Sequence, residues 1–234
     1  MVKFDLSAKF KGVEIISSDI NEGEMNYSLR EGQKNFKEFI AKNVKKPAAY
    51  GGQPHNTVVE FIDKPGYYKQ ADGLMTKSDF ALAVKTADCV PLILYNQKSG
   101  LIGVVHVSRK NLLMGIISKG LKTALGQSEV APEDIMAFLG PHIRAKSYMM
   151  REDFVNNIKK TKWGKFIVAS KDKKFFNLTA ALISELEEIG AKEENIIDCG
   201  IDTFSDMRFF SSRRLRDYKN QFVPVFVTLV FKNG

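Results

Sequence analysis

Two apolar, β-rich runs, residues 91–95 and 101–107, flank the short polar segment Asn96-Gln97-Lys98-Ser99-Gly100. That arrangement reads as a hairpin. A hairpin commits the surrounding chain to a sheet with antiparallel neighbours. Further strand signals lie at 2–16 (one or two strands turning near Lys11-Gly12), 56–62, 80–84, 135–139, 196–201 and 222–231. Helical spacing predicts a helix over 31–42, where Phe36, Phe39 and Ile40 share a face. It predicts others over 112–125, 152–161 and 178–189, the last capped by Asn177 or Thr179. Strands outnumber helices and several neighbours are joined by hairpin-length loops. The expectation is an α/β fold, a mixed sheet with helices on its faces.

With 234 residues and no Pro/Gly/Ser-rich linker, the chain is expected to form one domain over residues 1–234. The net charge of +8 would suit a nucleic-acid partner only if it were clustered. The lysines are instead spread out. The densest run, 159–174, is interleaved with Trp163, Phe166 and Ile167 and reads as a solvated helix face and loop. What remains is a mild attraction for phosphate-bearing small molecules. The apolar stretches are too short for membrane helices, and the start MVKFDLSAKFKGVEI has no continuous apolar run. A cytoplasmic protein with Cys89 and Cys199 reduced is expected.

The residues that carry chemistry cluster around the hairpin. If Tyr95 faces Gly100, then Cys89 falls opposite His106, and opposed antiparallel side chains share a face with Cβ atoms about 4.5–5.5 Å apart. Three readings are open. Cys89 and His106 can share a metal ion, with His55 in Gln53-Pro54-His55-Asn56 as third ligand. His106 can activate Cys89 as a nucleophile. Or both are ordinary core residues. His142 reads as a surface-loop histidine at a strand end, Asp72 as a turn residue, and Asp88 as a residue orienting the backbone beside Cys89. Asp88 and His142 are the weak acid–base candidates. Arg213 and Arg214 fit either phosphate binding or a solvated basic turn. Residues 148–150 read as core filler.

A family resemblance rests on Gln53-x-His55, Ala71-Asp72-Gly73-Leu74-Met75-Thr76, Thr86-Ala87-Asp88-Cys89-Val90-Pro91, Val105-His106, Leu139-Gly140-Pro141-x-Ile143 and Phe209-Phe210-Ser211-x-Arg213-Arg214. In this order they resemble the multicopper polyphenol oxidase, or laccase-domain, family, now tied to purine nucleoside phosphorolysis and adenosine deamination. The resemblance implies an α/β/β/α sandwich and one Zn²⁺, with copper as an alternative. It implies His55, Cys89 and His106 as ligands, these three also acting in catalysis. It implies purine nucleosides and phosphate as partners; a monomer or small homo-oligomer is expected, and Lys110, Arg213 and Arg214 are the candidate substrate-binding cations for phosphate or the transition state. The family's H-A-G-W-R-G stretch is here His106-Val107-Ser108-Arg109-Lys110-Asn111, which keeps a cation at Lys110. Cys199 misses the family's later cysteine position and is expected to be dispensable. Rival readings are a Cys89–His106 amide hydrolase acting on cell-wall precursors, a copper phenol oxidase, and a family member without activity.

Overall fold

A computed structural model describes residues 1–215 and 222–233 of the chain. In chain order the strands are β1 (Val2–Lys3), β2 (Val13–Ser17), β3 (Ala48–Gly51), β4 (Val59–Phe61), β5 (Gly66–Tyr68), β6 (Gly73–Thr76), β7 (Ala81–Thr86), β8 (Val90–Asn96), β9 (Leu101–Val107), β10 (Met136–Leu139), β11 (Met149–Met150), β12 (Ile167–Ser170), β13 (Lys173–Phe176), β14 (Ile196–Asp198) and β15 (Phe226–Lys232). The α-helices are α1 (Arg30–Asn43), α2 (Arg109–Met114), α3 (Lys122–Gln127), α4 (Glu152–Ile158), α5 (Leu178–Glu188) and α6 (Ser212–Leu215). One mixed sheet has the order β1-β2-β15-β7-β3-β5, the second β14-β10-β8-β9-β6-β4; β11-β13-β12 form a small third.

Side-chain alternation sorts the layers. In β7, Ala81 and Ala83 face α1, packing with Phe36 and Phe39, while Leu82 and Val84 face the other sheet. In β8 and β9, Ile93, Tyr95, Ile102 and Val104 fill the space between the sheets. Leu92, Leu94, Val105 and Val107 turn outward onto Leu112, Ile116, Leu125 and Leu182. The result is helix, sheet, sheet, helix: the mixed α/β class expected, with two principal sheets where the periodicities alone suggested one.

The hairpin forms, but its register is two residues from the expected one. Asn96 faces Leu101 and Pro91 faces His106. Asn96 itself prefers the strand end, where its Oδ1 accepts from Ser99 N and its Nδ2 donates to Asp134 O. A shift of one would have sent Cys89 and His106 to opposite faces; a shift of two keeps them on one face as diagonal neighbours. The continuous helix expected over 112–125 is broken at Gly115, whose φ of 93° is left-handed. Its N–H caps α2 by donating to Asn111 O and Leu112 O, and the chain resumes through a π-helical turn before α3. The last strand starts at Phe226 instead of 222.

Candidate active site

Both donor-bearing loops are crossovers from one sheet to the other. His55 lies between β3 and β4, Cys89 between β7 and β8, and His106 near the end of β9 on the face between the sheets. Three residues on these crossovers, Gln53, His55 and Asp88, have left-handed φ values of 59°, 63° and 88°. Such angles are unfavourable for non-glycine residues and are held only by surrounding contacts. For Gln53 those contacts are identifiable. Its Oε1 accepts from Tyr27 OH and Lys85 N, and its Nε2 donates to Lys85 O. The side chain thereby pairs with the β7 backbone like a strand residue. Asp88 accepts from Thr203 Oγ1 at 2.7 Å and from Arg213 N at 2.5 Å.

The donor atoms of His55, Cys89 and His106 lie within 4.8 Å of one another. The two imidazole rings meet edge to face, 4.7 Å between centroids. His55 is exposed, Cys89 half-buried and His106 buried. Behind them stands Asp72, not a free turn residue but a buried carboxylate. Its Oδ1 is 2.8 Å from His106 Nδ1 and accepts from His55 N, and its Oδ2 accepts from Asn56 N at 2.7 Å. Asn111 completes the shell. Its Nδ2 donates to Asp72 Oδ1 and His106 O, and its Oδ1 accepts from Ser108 N in a capping box at the start of α2. The stretch 107–111, which departs from the family pattern, thus builds the support of His106.

The electrostatics follow from this packing. Burial pushes the Cys89 thiol up, but the adjacent His106 charge and hydrogen bonds from His106 and His55 outweigh it, leaving the thiol at about 7. Burial pulls His106 down, while Cys89 and Asp72 raise it to about 9. Lys85, beside the same pocket, is lowered to about 8 by burial despite the attraction of Asp72 and Glu24.

A soft thiolate and two imidazoles are the donor set zinc or copper prefers. The Asp72–His106 contact leaves His106 Nε2 as the ligating atom, the orientation that metal-bound histidines show. The residues therefore fit one ion. They do not fit a multicopper set, because His142 is committed elsewhere. It is fully buried, contrary to the expected surface position. Its Nδ1 donates to Gly140 O, and its Nε2 accepts from Thr179 Oγ1 and Arg144.

The open side is a cavity of about 350 Å³ whose wall includes Lys85, Asp88, Lys110, Tyr148 and Arg213. Lys110 is exposed at its rim. Arg213 packs its guanidinium over Tyr148, 4.9 Å from the ring centroid. Arg214 is not brought to the cavity: its guanidinium donates to Thr203 O, Phe204 O and Phe209 O, tying the 203–209 loop together. Tyr148, expected as core filler, lines the cavity instead. Sequence reasoning missed Arg109, Gln53 as a scaffold, Lys85 and Asn111. The one available signal was for Asp72, an acid between two small residues just ahead of an apolar strand.

The model of a family described as multi-copper polyphenol oxidoreductase laccase matches residues 20–223. A purine nucleoside phosphorylase of Campylobacter jejuni is 32% identical over 192 residues, 81% of this chain and 80% of its own. Another from Mycobacterium bovis is 28% identical, and the match spans 69% of this chain and 65% of that relative's length. Among solved structures, YlmD from Geobacillus stearothermophilus has a TM-score of 0.81 at 17% identity, covering 97% of this chain and 94% of its own. That likeness shows a shared fold. No helix among the described residues is long and apolar enough to cross a membrane.

Proposed function

The chain belongs to the multi-copper polyphenol oxidoreductase laccase family, and from that premise we propose that it is a zinc-dependent purine nucleoside phosphorylase. The observation that carries the reading is the His55–Cys89–His106 group braced by Asp72 at the floor of a cavity of about 350 Å³, a volume at the small-ligand end of the range for binding pockets. The names of the relatives supply the substrate class.

Phosphorolysis forms a bond from a phosphate oxygen to the anomeric carbon and breaks the bond from that carbon to the purine nitrogen. The base leaves with the electron pair and then takes a proton. A bound zinc ion would supply Lewis-acid polarisation at the reacting centre. Asp72 fixes the tautomer and aim of His106 and, through two backbone N–H groups, the position of His55. Lys110 and Arg213 contribute positive charge to the wall where phosphate approaches. Asp88, its carboxyl pushed up by burial against the hydrogen bonds of Thr203, Ser211 and Arg213, is the candidate on this wall for passing a proton to the departing base. In this reading the enzyme works in the cytoplasm on adenosine, inosine or methylthioadenosine.

A second reading has its own support. Cys89, His106 and Asp72 line up as nucleophile, base and orienting carboxylate, the arrangement of a cysteine amide hydrolase. One assay separates the two. Purified protein, its metal content measured, is given each nucleoside with and without phosphate, and free base, sugar 1-phosphate and ammonia are followed. Base release that requires phosphate supports the phosphorylase; ammonia release tests adenosine deamination. His55→Ala should remove both metal and nucleoside turnover, because His55 is a ligand in the first reading and peripheral in the second. Full turnover by a metal-free His55→Ala protein would refute the zinc reading.

A further inference from the structure

Arg109 opens α2 three residues after His106. Its guanidinium lies 4.1 Å from the Phe154 ring centroid and 5.9 Å from that of Tyr148. It donates to Met150 Sδ at 2.9 Å, and among the described residues no carboxylate pairs with it. A guanidinium carries five N–H donors, and a thioether is a weak acceptor. Aromatic faces hold the flat of the ion while leaving its donor-bearing edge available.

Arg109 lines two cavities. One is the active-site cavity; the other, of about 330 Å³, is lined among the described residues by Arg109, Arg151 and Arg213 and by one carboxylate, Asp153. Asp153 is itself 3.2 Å from Arg151. Leaving Arg213 aside, Arg109 and Arg151 against Asp153 still give a positive excess among the described residues, and the planar fork of a guanidinium matches two oxygens of a tetrahedral anion.

We propose that Arg109 is the phosphate-binding residue of this site, seating a phosphoryl oxyanion where it lines the two cavities. The ligand's identity as inorganic co-substrate rests on the phosphorylase reading above. The same chemistry could instead recognise the phosphate of a nucleoside 5′-monophosphate, and the test separates the two.

Inorganic phosphate is titrated by calorimetry into the purified protein, Arg109→Gln and Arg109→Lys, with folding checked by circular dichroism and melting temperature. Arg109→Gln should weaken phosphate about 10- to 100-fold. Arg109→Lys should recover part of that loss, since it keeps the charge without the fork. In steady state the KM for phosphate should rise in proportion while the KM for nucleoside stays within about twofold. Undetectable phosphate binding by the parent protein overturns the proposal, as does a folded Arg109→Gln that binds phosphate normally. Arg109-dependent binding of a nucleoside 5′-monophosphate, with none of inorganic phosphate, overturns the co-substrate assignment. Arg109-dependent phosphate binding without phosphate-dependent base release upholds the subsite and rejects the phosphorylase reading.

Discussion

Asp72 accepts from the ring of one candidate ligand and the backbone of another, so two of three donors depend on one carboxylate. Asp72→Asn keeps the shape but turns one oxygen into an N–H donor, which opposes either the His106 Nδ1–H or the loop amides. The expected result is a 10- to 100-fold loss of zinc affinity, the usual cost of removing such an outer partner, read by competition with a chromogenic chelator. Unchanged affinity in a folded variant would remove Asp72 from the support of the site. Cys199 is the contrast. Burial pushes its thiol up to about 11, and its sulfur accepts from Ile201 N beside the inter-sheet core. Cys199→Ser should leave zinc content and turnover within about twofold, because the Cys199 thiol packs against the inter-sheet core and lies outside the His55–Cys89–His106 donor group. At this scale the sequence disclosed donors better than their supports. A His or Cys is chemically conspicuous, whereas Asp72 and Gln53 matter through hydrogen bonds to backbone far away in sequence.

Among the elements, the loop after β10 is fastened to α5 and to the 198–203 segment by His142, Arg144 and Asp202. His142 bonds Thr179, and Arg144 bonds Asp198 through two nitrogens. Burial, with Arg144 adding to it, lowers His142 to about 4. Protonation would also cost Nε2 its role as acceptor from Thr179 and Arg144. The sign follows from the depressed value. Above about 6.5, the unfolded value, the ring is neutral in both states; below it the unfolded chain takes a proton the folded chain refuses. Stability therefore falls from about pH 6.5 to about pH 4, by about 3 kcal/mol for this group. Urea unfolding at stepped pH should show the slope, and His142→Gln should flatten it while lowering stability at neutral pH. A slope identical in the two proteins would refute the assignment. The hairpin was legible because two apolar runs around a polar turn admit few alternatives. Its register was not, since the side-chain bonds of Asn96 decide where the strand stops. Nor was the break at Gly115, because the flanking apolar spacing continues in phase across it.

Considered as a whole, the molecule joins its two sheets through the loops that carry His55 and Cys89. An ion held by both loops and by β9 would act as a clasp between layers. Elemental analysis should find one zinc per chain. Removing it by chelation should lower the melting temperature, as loss of any native-state ligand does. Amide exchange should quicken mainly over 52–58 and 86–90, while β8 and β15 stay protected. Exchange that rises evenly across both sheets would argue against the clasp. The layer order was legible as far as α/β with helices outside. The division into two sheets was legible only through the family resemblance and not through periodicity, because short segments such as β3, β5 and β6 carry too few residues for a period to show.

The placement of the donors on crossovers also bears on how such a protein can change over time. A strand interior tolerates many apolar exchanges if volume and alternation are kept, whereas a loop held in left-handed backbone by its own contacts does not. Chemistry lodged at the passages between sheets leaves the sheets free to drift. Mutational tolerance should then be lowest not in the buried strands but in two short loops, 52–56 and 86–90, where lineages would diverge least.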